Sequence, residues 1–119
     1  MNRRNIFSAF ANAFNGLFYF FANERNGKIQ LGAAAIVVAF ALYFRISINE
    51  WVAVLLCIGA VLSLEMINSA IEKLCDLVHP EYHPVIKIIK DVSAAAVLFA
   101  SIISAIAAAV IFLPKIFTL

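Results

Sequence analysis

The sequence predicts an all-α membrane protein, with an N-terminal amphipathic helix at the bilayer surface followed by three transmembrane helices. Three observations carry that prediction. Hydrophobic residues fill 65% of the 119 positions and charged residues 13%, with a mean hydropathy of +0.99, whereas a soluble domain is about 45–50% apolar. The apolar residues fall into three long runs, each of a length that suits a hydrocarbon core about 30 Å thick. Ahead of them, polar residues recur at helical spacing through a phenylalanine-rich segment.

That first segment, residues 5–23, carries Asn5, Ser8, Asn12, Asn15 and Tyr19 as a narrow polar stripe, with Phe7, Phe10, Phe14, Leu17, Phe18 and Phe21 filling the rest. A helix of this kind lies in the interfacial plane, and its stripe is also placed to line a site. Arg3, Arg4 and Ala11-Asn12-Ala13 resemble parts of a secretory signal, but Ser8 and Asn12 cut the apolar run, so cleavage is not expected. Asn23 to Lys28 is a polar break containing Gly27. The first span, 29–45, is apolar apart from Gln30 and short enough to rely on snorkelling by Lys28 and Arg45. A turn from Arg45 to Glu50 follows, with Asn49 the expected N-cap and Trp51 the expected interface anchor.

The second span covers 50–74, and its last turns should emerge from the bilayer. Residues 77–84 form a loop punctuated by Pro80 and Pro84. Val85 to Lys90 resumes helix, and the third span, 91–114, is closed by Pro114. Its Ser93, Ala94, Ala95, Ala96, Ser101 and Ser104 permit close helix contact in lipid. The whole chain is one domain. Three helices alone enclose little space, so homo-oligomerisation is expected.

Basic residues orient the spans. Arg3, Arg4, Arg25 and Lys28 precede the first, and Lys73, Lys87 and Lys90 lie around the second loop, while the opposite side has only Arg45 and Lys115. The N-terminus and the second loop are therefore expected to face the cytoplasm. The net charge of +2 is scattered, without a basic block, which excludes the usual footprint of a nucleic-acid binder. Cys57 and Cys75 lie about 27 Å apart along one expected helix and cannot bridge each other there.

The most informative feature is a break in apolarity. Glu65, Asn68, Glu72 and Asp76 stand at offsets 0, 3, 7 and 11, which puts the three carboxylates within roughly 40° on one helix face and Asn68 beside them. Such groups are costly in a membrane and repel one another, so a cation, either a metal ion or a lysine, is expected among them. Glu24 and Glu72 suit Mg²⁺, which takes a few carboxylates and completes its shell with water and substrate phosphates. Phosphoryl transfer needs mainly charge neutralisation, positioning and a base for the attacking hydroxyl. Glu65, roughly 10 Å deeper than Glu72, is placed to act as base toward a lipid hydroxyl, with Lys90 placed to contact phosphate.

Competing readings are weaker. The chain has neither a G-x-x-x-x-G-K-[ST] nor a G-x-G-x-x-G motif. His79 and His83 straddle Pro80, so a helical zinc pair is not expected, and solvated loop histidines are the simpler reading. Ser69 and Ser93 lack a His/Asp partner for nucleophilic chemistry. The stripe could instead be a solvated helix end salt-bridged to Lys73 and Lys90, though the apolar run before Glu65 argues against that. A cation-conducting or transport oligomer would need polar groups deep in the first or third span, which hold only Gln30 and scattered serines. A noncatalytic scaffold would make the carboxylates dispensable.

Glu65-x-x-Asn68-Ser69-Ala70-Ile71-Glu72-x-x-x-Asp76, then Glu81-Tyr82-His83, then Lys90-Asp91 before Ala94-Ala95-Ala96-Val97, resembles the prokaryotic diacylglycerol kinase family. The likeness runs from Gly16-Leu17 and Asn23-Glu24 to the third span. It implies a trimeric lipid kinase of a bacterial cytoplasmic membrane, using ATP and Mg²⁺, with an active site shared between subunits. By the same resemblance, Glu65 is the catalytic base and Asn68 orients substrate or phosphate. Glu24 and Glu72 hold the metal, and Asp76, Glu81, Lys90 and Asp91 line the nucleotide end. Asn5 and Asn12 stand where the diacylglycerol-specific enzymes carry an arginine and a tyrosine near the nucleotide, which makes Asn12 a further expected nucleotide contact, and Gln30 stands where they carry a glutamate. Glu24-Arg25-Asn26, Ser63-Leu64-Glu65, His83-Pro84 and Ile111-Phe112-Leu113-Pro114-Lys115 are similar instead to the undecaprenol kinase branch. Undecaprenol is accordingly the expected acceptor, with diacylglycerol the alternative.

Overall fold

A computed structural model describes residues 5–118; Arg3 and Arg4, counted above toward orientation, lie outside the described residues. Four helices follow in order: α1 (Ile6–Asn23), α2 (Arg25–Phe44), α3 (Ile48–Val78) and α4 (Pro84–Phe117). The last three are each long and apolar enough to cross a membrane. This is an all-α integral membrane protein. Helix α2, with 20 residues, measures about 30 Å, one hydrocarbon thickness. Helices α3 and α4 have 31 and 34 residues, about 46 and 51 Å, and must project beyond the hydrocarbon.

Asn5 starts α1 by accepting the Ser8 N–H at 2.7 Å, the N-cap arrangement expected of an asparagine. The polar break narrows to one residue. Glu24 alone is extended (φ −96°, ψ 123°), terminating α1 and opening α2. Its N–H donates to Phe20 O at 2.9 Å, and its carbonyl accepts Lys28 N–H at 3.2 Å. The corner closes because Gly27 has no side chain: a Cβ there would stand 2.7 Å from Phe20 Cε2. Phe20 is the buried residue of α1 and meets Phe21 edge to face at 5.1 Å, while Phe7, Phe10, Phe14 and Phe18 remain exposed.

At the far end, Arg45 adopts a left-handed conformation (φ 50°) and ends α2. The N-cap of α3 is Ser47 rather than Asn49. Ser47 Oγ accepts Glu50 N–H at 3.2 Å and Glu50 Oε1 accepts Ser47 N–H at 2.9 Å, a capping box that leaves Asn49 inside the first turn. Nor does Pro114 close α4, which continues to Phe117. Proline removes one hydrogen bond without obliging a helix to stop. Helix α2 begins four residues before the expected first span, and α4 seven before the expected third.

The principal core sits at this far end. Ala41 of α2, Ile46 of the turn, Val54 of α3 and Ile111 and Phe112 of α4 are buried together, with Trp51 packed partly against them. Phe112 lies 6.1 Å from Phe44 and 6.2 Å from Phe40, ring centre to centre. Lys115 donates to Glu50 Oε2 at 2.8 Å, tying the end of α4 to the start of α3. The large outward-facing residues, such as Phe18, Leu56, Phe99 and Val110, have lipid or another chain as their natural surroundings.

Candidate functional site

Along α3 the buried residues are Val54, Val61, Glu65, Asn68 and Cys75, whose spacings of 7, 4, 3 and 7 trace one helix face. Two of the five are polar. Glu65 is 3% exposed and Asn68 5%. Among the described residues Glu65 makes no ion pair, and the Asn68 Oδ1 has no hydrogen-bond partner. A buried acceptor left this way costs about 1–3 kcal/mol, so it marks a point where the fold is held at a local loss. One turn deeper, Val61 and Leu62 border an apolar cavity of about 230 Å³ between α2, α3 and α4, walled by small residues including Ala33, Ala53 and Ser104.

The stripe divides with height. Glu72 and Asp76 are exposed while Glu65 and Asn68 are buried, although Cys75 between the two exposed carboxylates is itself buried. Glu24 is brought to this upper part. Its Oε1 accepts Lys73 Nζ at 2.6 Å, with the glutamate side chain 22% exposed and the lysine 53%. The same ammonium stands 5.7 Å from the centre of the Tyr19 ring. Lys73 adjoins Glu72 in sequence, so the α1–α2 corner meets α3 at the level of Glu72. Lys73, rather than Glu72, is the residue that touches Glu24, so the contact joins Glu24 to the sequence neighbour of its expected metal partner.

A second group joins α3 to α4. Lys90 Nζ donates to Asp76 Oδ1 at 2.6 Å. That hydrogen bond, opposed by partial desolvation and aided by the charge of Asp76, raises the Lys90 pKa above its ordinary value. Lys87 pairs with Asp91 at 2.6 Å one turn apart on α4. Glu81, Tyr82, His83, Lys87, Lys90 and Asp91 border an open cavity of about 310 Å³ beside the loop. Three of the four residues assigned above to the nucleotide end, Glu81, Lys90 and Asp91, therefore share one hollow, and Asp76 is tied to it through Lys90. Asn12 stays apart, exposed on α1 about 17 Å along the helix from Asn23.

The histidines are braced, not free loop side chains. The His79 and His83 rings meet edge to face at 5.2 Å. The His79 Nδ1 lies 2.9 Å from Glu81 O, and His83 Nδ1 accepts Val85 N–H at 3.1 Å, capping α4 ahead of Pro84. Among the described residues no three His, Cys, Asp or Glu side chains converge in metal-binding geometry. Sequence reasoning missed Lys87 as a wall of the hollow and the Lys73–Glu24 partnership. The oppositely charged Lys87/Asp91 spacing of four was readable; the contact across the corner had no local signal.

Taken with three spans, this geometry defines an integral membrane protein whose acidic stripe and loop-side ion pairs gather at one end of its bundle. Residues 11–112 match the family model for prokaryotic diacylglycerol kinase. An undecaprenol kinase of Bacillus subtilis is 38% identical over 111 residues, covering 93% of this chain and 90% of that protein. A diacylglycerol kinase of Synechocystis is 36% identical over 118 residues, covering 97% of this chain and 66% of that protein. The chain belongs to the prokaryotic diacylglycerol kinase family, and it is a lipid kinase.

Proposed function

We propose that the protein transfers the γ-phosphoryl group of ATP to the hydroxyl of undecaprenol, in a Mg²⁺-dependent reaction at the cytoplasmic face of a bacterial inner membrane. The observation that carries this reading is the buried Glu65–Asn68 pair, set one turn above an apolar cavity and below the exposed carboxylates. A lipid alcohol lies with its chain among apolar side chains and its hydroxyl at Glu65. The Glu65 carboxylate accepts the hydroxyl proton, the lipid oxygen bonds to the γ-phosphorus, and the bond to the β-phosphate oxygen breaks to release ADP. Asn68, whose Oδ1 has no other partner, orients the hydroxyl or the phosphoryl group.

Glu24 and Glu72 suit a hard cation. The Lys73 contact brings Glu24 beside the sequence neighbour of Glu72, and two carboxylates match the preference of Mg²⁺ for few protein ligands, the rest being water and phosphate oxygens. When bound, the ion neutralises phosphate charge. Asp76, Glu81, Lys90 and Asp91 border the nucleotide, and Lys90 supplies the positive charge for its phosphates. Asn12 reaches the nucleotide only if a neighbouring subunit provides it, which is one reason to propose a homotrimer. The apolar surfaces left open on all four helices are another.

Undecaprenol is favoured over diacylglycerol by the Bacillus relative, which matches along 90% of its own length, and by the branch residues quoted above. A conducting pore is disfavoured because no charged residue lies within 29–44, 51–64 or 92–114. The test is phosphorylation of each lipid from labelled ATP in mixed micelles. Undecaprenol should be the better acceptor, and Glu65→Gln should lower turnover by about 10²–10⁴-fold. A Glu65→Gln protein that turns over normally would sink the mechanism, and a preference for diacylglycerol would reverse the substrate assignment.

A further inference from the structure

We infer that Lys73 is a built-in counter-cation for Glu24, which holds that carboxylate in place and must be displaced by the divalent cation, so that Lys73 sets how tightly the metal binds. The inference rests on Glu24 being a metal carboxylate. Its own grounds are three contacts. The Lys73 ammonium stands 2.6 Å from Glu24 Oε1, within the first coordination space of any ion on that oxygen. Both carriers are fixed: Glu24 by backbone hydrogen bonds on either side of the corner, Lys73 by its place in α3. The lysine side chain is the more exposed of the two, 53% against 22%, and so the freer to move.

The structure also provides somewhere for it to go. The Tyr19 ring centre is 5.7 Å from the ammonium, inside the range in which an aromatic face attracts a cation. A lysine released from Glu24 therefore stays near the site, stabilised by the ring, and does not have to cross into lipid. Its removal from the oxygen is also electrostatically required, since a divalent ion and an ammonium cannot occupy the same lone-pair space without strong repulsion. Tyr19, Glu24 and Lys73 come from α1, the corner and α3, so this exchange connects the surface helix to the helix that carries Glu65.

Mn²⁺ binding to the detergent-solubilised, assembled protein, followed by electron paramagnetic resonance without nucleotide or lipid, separates the inference from the reading beneath it. Wild type should bind Mn²⁺ and Glu24→Gln should bind it more weakly; if either fails, the metal assignment falls and the inference with it. Given both, Lys73→Met should bind Mn²⁺ about two- to fivefold more tightly, the gain set by losing competition from an exposed ion pair, and Lys73→Arg should stay within about twofold of wild type. The gain should shrink at high salt. Equal or weaker Mn²⁺ binding by a Lys73→Met protein that keeps wild-type helicity and oligomeric size overturns the inference. Should that variant not assemble, Lys73→Gln replaces it under the same criterion.

Discussion

Replacing Asn68 by alanine should stabilise the protein while crippling it. The side chain is 5% exposed and its Oδ1 has no partner among the described residues. Removing that oxygen recovers a desolvation cost of about 1–3 kcal/mol. Alanine also favours a helix over asparagine by up to about 0.7 kcal/mol. Against these stands the loss of a few buried heavy atoms, about 1 kcal/mol if the small void stays open. The gains win, by roughly 1 kcal/mol. Turnover should fall about 10²–10³-fold, as when a positioned polar group is removed from a reacting centre. Stability can be followed as helicity lost on titration with SDS in mixed micelles, and turnover as phosphate transfer to undecaprenol in the same preparation. A variant about 1 kcal/mol less stable than wild type would show that Oδ1 is hydrogen-bonded in the assembled protein, and the reasoning would fail.

Two other perturbations test the supporting framework. Lys90 holds its proton more tightly in the folded protein than its ordinary value of 10.5 because of Asp76, so the pair's contribution to stability is complete below that value and vanishes as pH rises through the folded-state pKa. Asp76→Asn should therefore melt below wild type at about pH 8 and converge with it as pH rises through the folded-state pKa of Lys90; parallel curves would refute the linkage. Lys115→Met, which cuts the 2.8 Å bond to Glu50, should lower Tm by about 2–4 °C while leaving turnover and Mn²⁺ affinity unchanged, because Glu50 lies about 22 Å along α3 from Glu65. A proportionate loss of turnover would mean that the two ends of the bundle are coupled.

Periodicity made most of the architecture legible. Polar spacings of 3 and 4 marked α1, and the acidic stripe marked the end where Glu24, Lys73 and Lys90 gather, because both patterns are local to one helix. Caps were harder. Ser47-Ile48-Asn49-Glu50 carries the S-x-x-E signature of a capping box, yet the neighbouring Asn49 is also a good cap by composition. Pro114 was expected to end α4, but three more helical residues follow it. The stripe's vertical division was legible as well, since the rise per residue sets Glu65 deeper than Glu72, whereas the burial of Cys75 between the exposed Glu72 and Asp76 depends on neighbouring helices that a helical wheel does not show. Pairing was half visible. Lys90 meets the stripe at Asp76 as the salt-bridge reading allowed, whereas Lys73 turns away from it to Glu24, a contact fixed by the sharpness of a corner that no local pattern reports.

That corner has a mechanical consequence. Helix α1, 18 residues long, is a lever of about 27 Å resting on a fluid surface that tilts and thins with every lipid that passes. Its fulcrum is the single extended residue Glu24. A rocking of about 10° would carry the Asn5 end roughly 5 Å while scarcely moving the pivot. The Glu24 carboxylate sits at the pivot of that arm, the point that such a rocking displaces least.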